Sequence, residues 1–126
     1  MERVILDTGA LIAIERGKRQ LLTRLWSDTA DDIEVWTSSA CVAEAWRVPA
    51  RQVPLVRFLQ RIDEQPLDPQ SARASGELMA AAATNQLADA ALALLAEDGD
   101  QILTSDPADI AHLLTVRGVR AAVGQV

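Results

Sequence analysis

Three short apolar runs, each followed by a helix-forming stretch, restrict the architecture of this chain more than any other feature. Val4-Ile5-Leu6, Ile33-Glu34-Val35-Trp36 and Gln101-Ile102-Leu103-Thr104 are short and rich in β-branched or aromatic side chains, so they read as strands. Val119 to Val123 reads as a last edge strand. The stretches between them read as helices. Asp7 or Thr8 caps one from about Gly9 to Ile14, and Gly17 ends it. A second runs from about Arg19 to Ser27 with Leu21, Leu22, Leu25 and Trp26 on one face, before a loop at Asp31 and Asp32. Ser38 or Ser39 caps a helix through Glu44 that stops before Pro49. Further helices are expected at Gln52 to Ile62, at Ala72 to Ala83 and from Thr84 or Asn85 to near Gly99, with a turn bracketed by Pro66 and Pro69. Ser105-Asp106-Pro107 opens the last one. Strands alternating with helices imply a parallel sheet covered on both faces, and such sheets bind ligands outside the C-terminal ends of their strands.

The 126 residues make a single domain, 1–126, with no repeat, low-complexity tract or linker. Ala and Leu dominate and aromatics are 3%, which favours a helical shell around a small sheet over an all-β fold. The lone Cys41 has no internal partner, Met1-Glu2-Arg3 leads straight into a strand without a signal-peptide pattern, and no apolar run nears the ~20 residues of a membrane span. A cytoplasmic, non-membrane protein is the expectation. The net charge of -6 argues against nucleic acid unless bound metal neutralises clustered acids, and the basic residues are Arg apart from Lys18.

Four acids stand where the fold would concentrate them. Asp7 follows the first strand and Asp106 the third; Glu44 and Asp89 lie in apolar helices. Each has an ordinary alternative. Asp7 and Asp106 are good helix caps, and Glu44 can pair with Arg47 three residues on. Asp89 has no Lys or Arg three or four residues away, which leaves the positive end of its helix as its local stabiliser. Carboxylates are costly to desolvate without a partner, so if the four converge the natural partner is a hard divalent cation, and the chemistry is metal-assisted work on phosphate esters.

The chain resembles the PIN-domain ribonucleases, in particular the VapC-type toxins of bacterial toxin–antitoxin pairs. The residues that carry the resemblance are Val4-Ile5-Leu6-Asp7-Thr8-Gly9-Ala10-Leu11-Ile12, Ala43-Glu44, Ala88-Asp89-Ala90 and Leu103-Thr104-Ser105-Asp106-Pro107-Ala108-Asp109, so it spans essentially the full length. It implies a three-layer α/β/α sandwich with a mostly parallel central sheet. It also implies hydrolysis of RNA phosphodiesters at an acidic pocket holding Mg²⁺ or Mn²⁺. Asp7, Glu44 and Asp89 would be the core metal ligands and Asp106 the fourth acid. Thr8, Ser105 and Asp109 would support them. The implied partners are an RNA of the tRNA or rRNA class, a cognate antitoxin and a second copy in a homodimer. Many relatives carry an additional acid where this chain has Gln86, which bears on a second metal.

Oxygen ligands select Mg²⁺ or Mn²⁺ over zinc, for which the chain lacks the Cys/His set. The single His112 reads as structural or solvated, against a His-based ribonuclease. Candidate RNA contacts are Arg16, Lys18 and Arg19 after the first motif and Arg47 and Arg51 after the second, each equally able to be a solvated charge. Trp26 and Trp36 read as core, with Trp46 the one closest to an acid. Two other readings compete. A catalytically inactive PIN-like scaffold would keep the fold alone. A receiver-like or phosphatase-like phosphoryl-transfer domain would need a late Lys that this chain lacks.

Overall fold

The structure, a computed structural model, describes residues 2–26 and 33–126. Ser27 and the loop expected at Asp31 and Asp32 lie outside the described residues. The strands are β1 (Glu2–Leu6), β2 (Ile33–Ser38), β3 (Asp63–Gln65), β4 (Gln101–Thr104) and β5 (Ala122–Gln125). The helices are α1 (Thr8–Glu15), α2 (Arg19–Trp26), α3 (Ser39–Ala45), α4 (Val53–Leu59), α5 (Pro69–Ala82), α6 (Leu87–Leu95) and α7 (Pro107–Arg117), with a 3-10 turn at Pro49–Arg51.

All five strands are parallel, in the order β3-β2-β1-β4-β5. Val4, Ile5 and Leu6 are all buried, as are Ile102, Leu103 and Thr104. Successive strand residues face opposite ways, so complete burial means that helices cover both faces of the sheet. This is the expected three-layer α/β/α sandwich. Helix α6 packs on β1 and β2, and α7 on β4 and β5. Helix α1 packs on α3, α4 and β4.

The strand order decides where a site can form. From β1 the chain steps to β2 on one side and later to β4 on the other. A crevice therefore opens beyond the C-terminal ends of β1 and β4, as in other open parallel sheets.

Two strands differ from the sequence expectation. Strand β3 was not anticipated: Asp63, Glu64 and Gln65 carry no apolar pattern and become a strand only by pairing with Trp36, Thr37 and Ser38. An acidic, three-residue edge also discourages further strand pairing. The last strand starts at Ala122, so of the expected run Val119 to Val123 only its final two residues are extended. The helix expected from Gln52 to Ile62 ends at Leu59, and the Asp89 helix ends at Leu95 rather than near Gly99.

Helix α6 is fastened at its C-terminal end, where helix carbonyls otherwise lack donors. Arg117 Nη1 donates to Ala93 O (2.6 Å) and Ala96 O (2.8 Å), and Arg3 Nη2 donates to Leu95 O (2.8 Å). Arg3 also pairs with Asp100, which is 7% exposed, and lies over the Trp36 ring at 4.3 Å. Asp100 in turn accepts from Glu97 N–H at 2.8 Å. Removing one member strands the other in a nearly dry setting. Arg3→Ala or Asp100→Ala is therefore expected to destabilise the fold by about 3 kcal/mol, read as a lower midpoint in urea. An unchanged midpoint would show that the pair is solvated and dispensable.

Candidate active site

Asp7 ends β1 and caps α1. Its backbone is extended (φ -86°, ψ -177°), and Oδ1 accepts from Ala10 N–H at 2.8 Å. The side chain is also buried, at 2% exposure, and Oδ2 accepts from the Thr104 hydroxyl and from Ser105 N–H (3.2 Å). The Thr104 oxygen in turn accepts from Asp106 N–H at 2.8 Å. One relay therefore runs from the start of α7 through Thr104 to the carboxylate of Asp7. Burial pushes the Asp7 carboxyl up, and these three hydrogen bonds hold it down against that.

Asp106 holds the N-cap position of α7 yet makes no cap hydrogen bond with its side chain. Its own backbone N–H donates to Thr104, and its carboxylate is exposed. Asp109 follows in the first turn of α7 and is exposed.

Glu44 is exposed on α3, and its Oε1 accepts from Thr8 Oγ1 at 2.8 Å. The expected Glu44–Arg47 pair does not form. Arg47 Nη1 instead donates to Ala43 O (3.2 Å) and Trp46 O (2.7 Å), closing the end of α3. Asp89 sits half-buried in the first turn of α6. Burial pushes its carboxyl up to about 6, with added repulsion from Asp7, Asp106, Asp109 and Glu44. The other three acids singled out in the sequence thus all act on Asp89, and Asp109 joins them.

The donor chemistry fits a hard cation. Cys41 lies under the acids, but burial pushes its thiol up to about 12, so it supplies no thiolate. His112 Nε2 lies 2.9 Å from Ala82 O, joining α7 to the end of α5. Only oxygens remain. Among the described residues no three such groups stand close enough to enclose an ion by themselves.

Of the supporting residues expected from sequence, Thr8 acts through its hydroxyl, on Glu44, and Ser105 through its backbone N–H, on Asp7. Thr104 and Gly9 went unrecognised. A Cβ on Gly9 would stand 2.1 Å from Ser105 Oγ, so its absence lets α1 approach the turn between β4 and α7. Thr104 left a faint signal as the polar residue that closes β4 after the apolar Ile102 and Leu103. Among the basic candidates, Arg16 and Arg51 are exposed, while Lys18 and Arg19 line a cavity beside β5. Trp26 and Trp36 are partly buried against the core, and Trp46 is 37% exposed. Gln86 is the N-cap of α6 and makes no side-chain cap bond.

The chain belongs to the PIN domain family, whose pattern matches residues 4–113. As a family, PIN domains are nucleases that depend in general on divalent metal ions. Two solved structures share the fold. DNA-bound VapBC from Salmonella typhimurium is 21% identical with a TM-score of 0.69, covering 98% of each chain. VapBC2 from Rickettsia felis, bound to a DNA fragment from their promoter, is 14% identical with a TM-score of 0.67, covering 96% of this chain and 98% of that one. No protein with a curated description matches the chain.

The mutual repulsion of the acids has a consequence for stability. The folded-state value of Asp89 lies above its ordinary 3.8, so its contribution is most favourable below that value and is lost as pH rises through about 6. In EDTA at pH 7.5, Asp89→Asn is expected to raise stability by about 1–2 kcal/mol, a figure reduced for solvent screening of the half-exposed group. At pH 4 the difference should shrink towards zero. Thermal melts at the two pH values check this, and a variant less stable than the parent at pH 7.5 would contradict it.

Proposed function

We infer that the chain is a VapC-type toxin, an endoribonuclease that hydrolyses RNA phosphodiesters with Mg²⁺ or Mn²⁺. One arrangement supports this reading: Asp7 and Asp106 follow the C-terminal ends of the neighbouring parallel strands β1 and β4, Thr8 beside Asp7 holds Glu44, and Asp89 is repelled by all three acids. Asp7, Glu44 and Asp89 are the proposed metal ligands, with Asp106 as the fourth acid. The site can hold one ion without Gln86. That residue offers an amide where a second ion would want a carboxylate.

A divalent ion held by Asp7, Glu44 and Asp89 would polarise a phosphoryl oxygen and lower the pKa of a bound water. The chain's own residues prepare that event. Thr104, Ala10 N–H and Ser105 N–H hold Asp7 in one orientation. Thr8 holds one oxygen of Glu44, and the other is available for a ligand or a proton. Gly9 keeps α1 close enough to β4 for both supports to act at once. Arg16 and Arg47 lie near enough to the first two motifs to meet RNA, although Arg47 is partly committed to the carbonyls of α3.

The likeness to VapBC structures supports a cognate antitoxin as partner, and a homodimer is proposed with it from the family resemblance alone. The unpaired, buried Cys41 supports a reducing, cytoplasmic setting. Among the described residues no single helix is long and apolar enough to cross a membrane.

The decisive experiment incubates purified protein, freed of antitoxin, with a tRNA and rRNA pool in Mg²⁺ or Mn²⁺. Discrete cuts are expected, absent in EDTA and absent with Asp7→Asn or Asp89→Asn. Cleavage that survives EDTA would sink the metal mechanism. No cleavage by folded protein in either metal would leave the inactive scaffold as the better reading.

Thr104→Val tests the support of Asp7 separately. Loss of such a hydrogen bond behind a ligand is expected to weaken metal affinity or activity about 10–100-fold while the fold survives. Thr104→Ser, which keeps the hydroxyl, should restore most of it. Equal activity in Thr104→Val would show that the relay is structural only.

A further inference from the structure

A cavity of about 560 Å³ lies beside β5, lined by Lys18, Arg19, Gln20 and Arg24 of the α2 segment and by Gln125 and Val126. Its charged side chains are all positive, in a protein of net charge -6. Among the described residues the ion pairs are those of Arg3, so none engages these three cations. Gly124 stands at the same wall, where a Cβ would lie 3.1 Å from Leu103 Cδ2 and 4.0 Å from Arg24 Nη1.

Thr104 relates this cavity to the acids. Its carbonyl accepts from Val126 N–H at 3.0 Å, and its hydroxyl donates to Asp7. Cavity and acid cluster therefore flank one residue on the same edge of the sheet. A polyanion approaching carboxylates is repelled wherever metal does not neutralise them. Cations beside such a cluster hold the neighbouring charges of the polymer without touching the reacting one.

We propose that this cavity binds the RNA phosphodiester backbone next to the cleaved linkage, with Lys18, Arg19 and Arg24 as positioning residues. The identity of the anion rests on the ribonuclease reading above. Contacts to phosphate set register and affinity but carry no base information, so this site orients substrate without choosing sequence. Exposed apolar residues suited to a protein partner lie elsewhere: Trp46 and Val48 in the connection after α3 and Val53 at the start of α4.

The test titrates a fluorescent single-stranded RNA in EDTA, so that binding is read without cleavage. It compares the parent chain, Lys18→Gln/Arg19→Gln/Arg24→Gln and, as a charge control, Arg73→Gln on α5. The triple variant should bind more than 10-fold more weakly. Its slope of log affinity against log salt should fall by about 2, near 0.7 for each lost phosphate contact on a single strand. Arg73→Gln should change neither. If the triple variant does not fold, Arg24→Gln and Lys18→Gln carry the same comparison, each with a smaller slope change.

With Mg²⁺ added, the variants should raise KM and leave kcat near the parent value. RNA affinity and slope unchanged in the folded variants would overturn the proposal. So would an equal loss in Arg73→Gln, or an acidic peptide that binds the cavity as tightly as RNA of equal charge. Cleavage absent from the parent chain, with RNA affinity still lost in the triple variant, would remove the nuclease reading and keep the phosphate site.

Discussion

Burial of the Asp7 carboxylate governs the architecture around it. A charge at 2% exposure is tolerable only when its oxygens are supplied with donors, and here the donors come from two places far apart in sequence. Ala10 N–H belongs to the first turn of α1, whereas the Thr104 hydroxyl and Ser105 N–H belong to the junction of β4 and α7. The same bonds that make Asp7 affordable therefore join the two halves of the site. Gly9 is the steric condition for that join.

The site works against the stability of the fold. Asp89 is pushed up to about 6 by burial and by its acidic neighbours, and among the described residues no cation pairs with it; the first turn of α6 offers its only local relief. The compensation lies elsewhere. Fully buried Ile5, Leu6, Leu11, Leu92, Ile102 and Leu103 form the centre of the core. Arg3 and Arg117 fasten the far end of α6, the helix that presents Asp89. A rigid helix with its C-terminal end anchored and an acid in its first turn keeps a repelling group in place. This is how a preorganised cation site must be built.

Local rules read from residues succeeded where local chemistry decides and failed where pairing or competition does. Ser38 caps α3 and Asp7 caps α1, as their residue types require. Asp106 has the same cap-forming signature, yet its side chain makes no cap bond; its backbone stands at φ -126°, ψ 67°, and its N–H is tied to the Thr104 hydroxyl. Glu44 and Arg47 have the spacing of a helix ion pair, but α3 ends at Ala45, so Arg47 turns to the helix's own carbonyls. In sequence Lys18 and Arg19 read as candidate RNA contacts or solvated charges, and only the approach of α2 to the end of β5 makes them one wall of a cavity with Arg24.

By itself, the sequence determined the parallel α/β class and singled out the four acids as candidates. Hydrophobic period, caps and strand-end position are properties of short segments, and these are preserved on folding. Tertiary structure alone decided the strand order, and with it the crevice between β1 and β4. It also made β3 a strand, drew Thr104 to Asp7, and set the basic cavity beside the acids. Each of these depends on which distant segments become neighbours. A residue's type limits the bonds it can make, but only the packed sheet decides which partner is within reach.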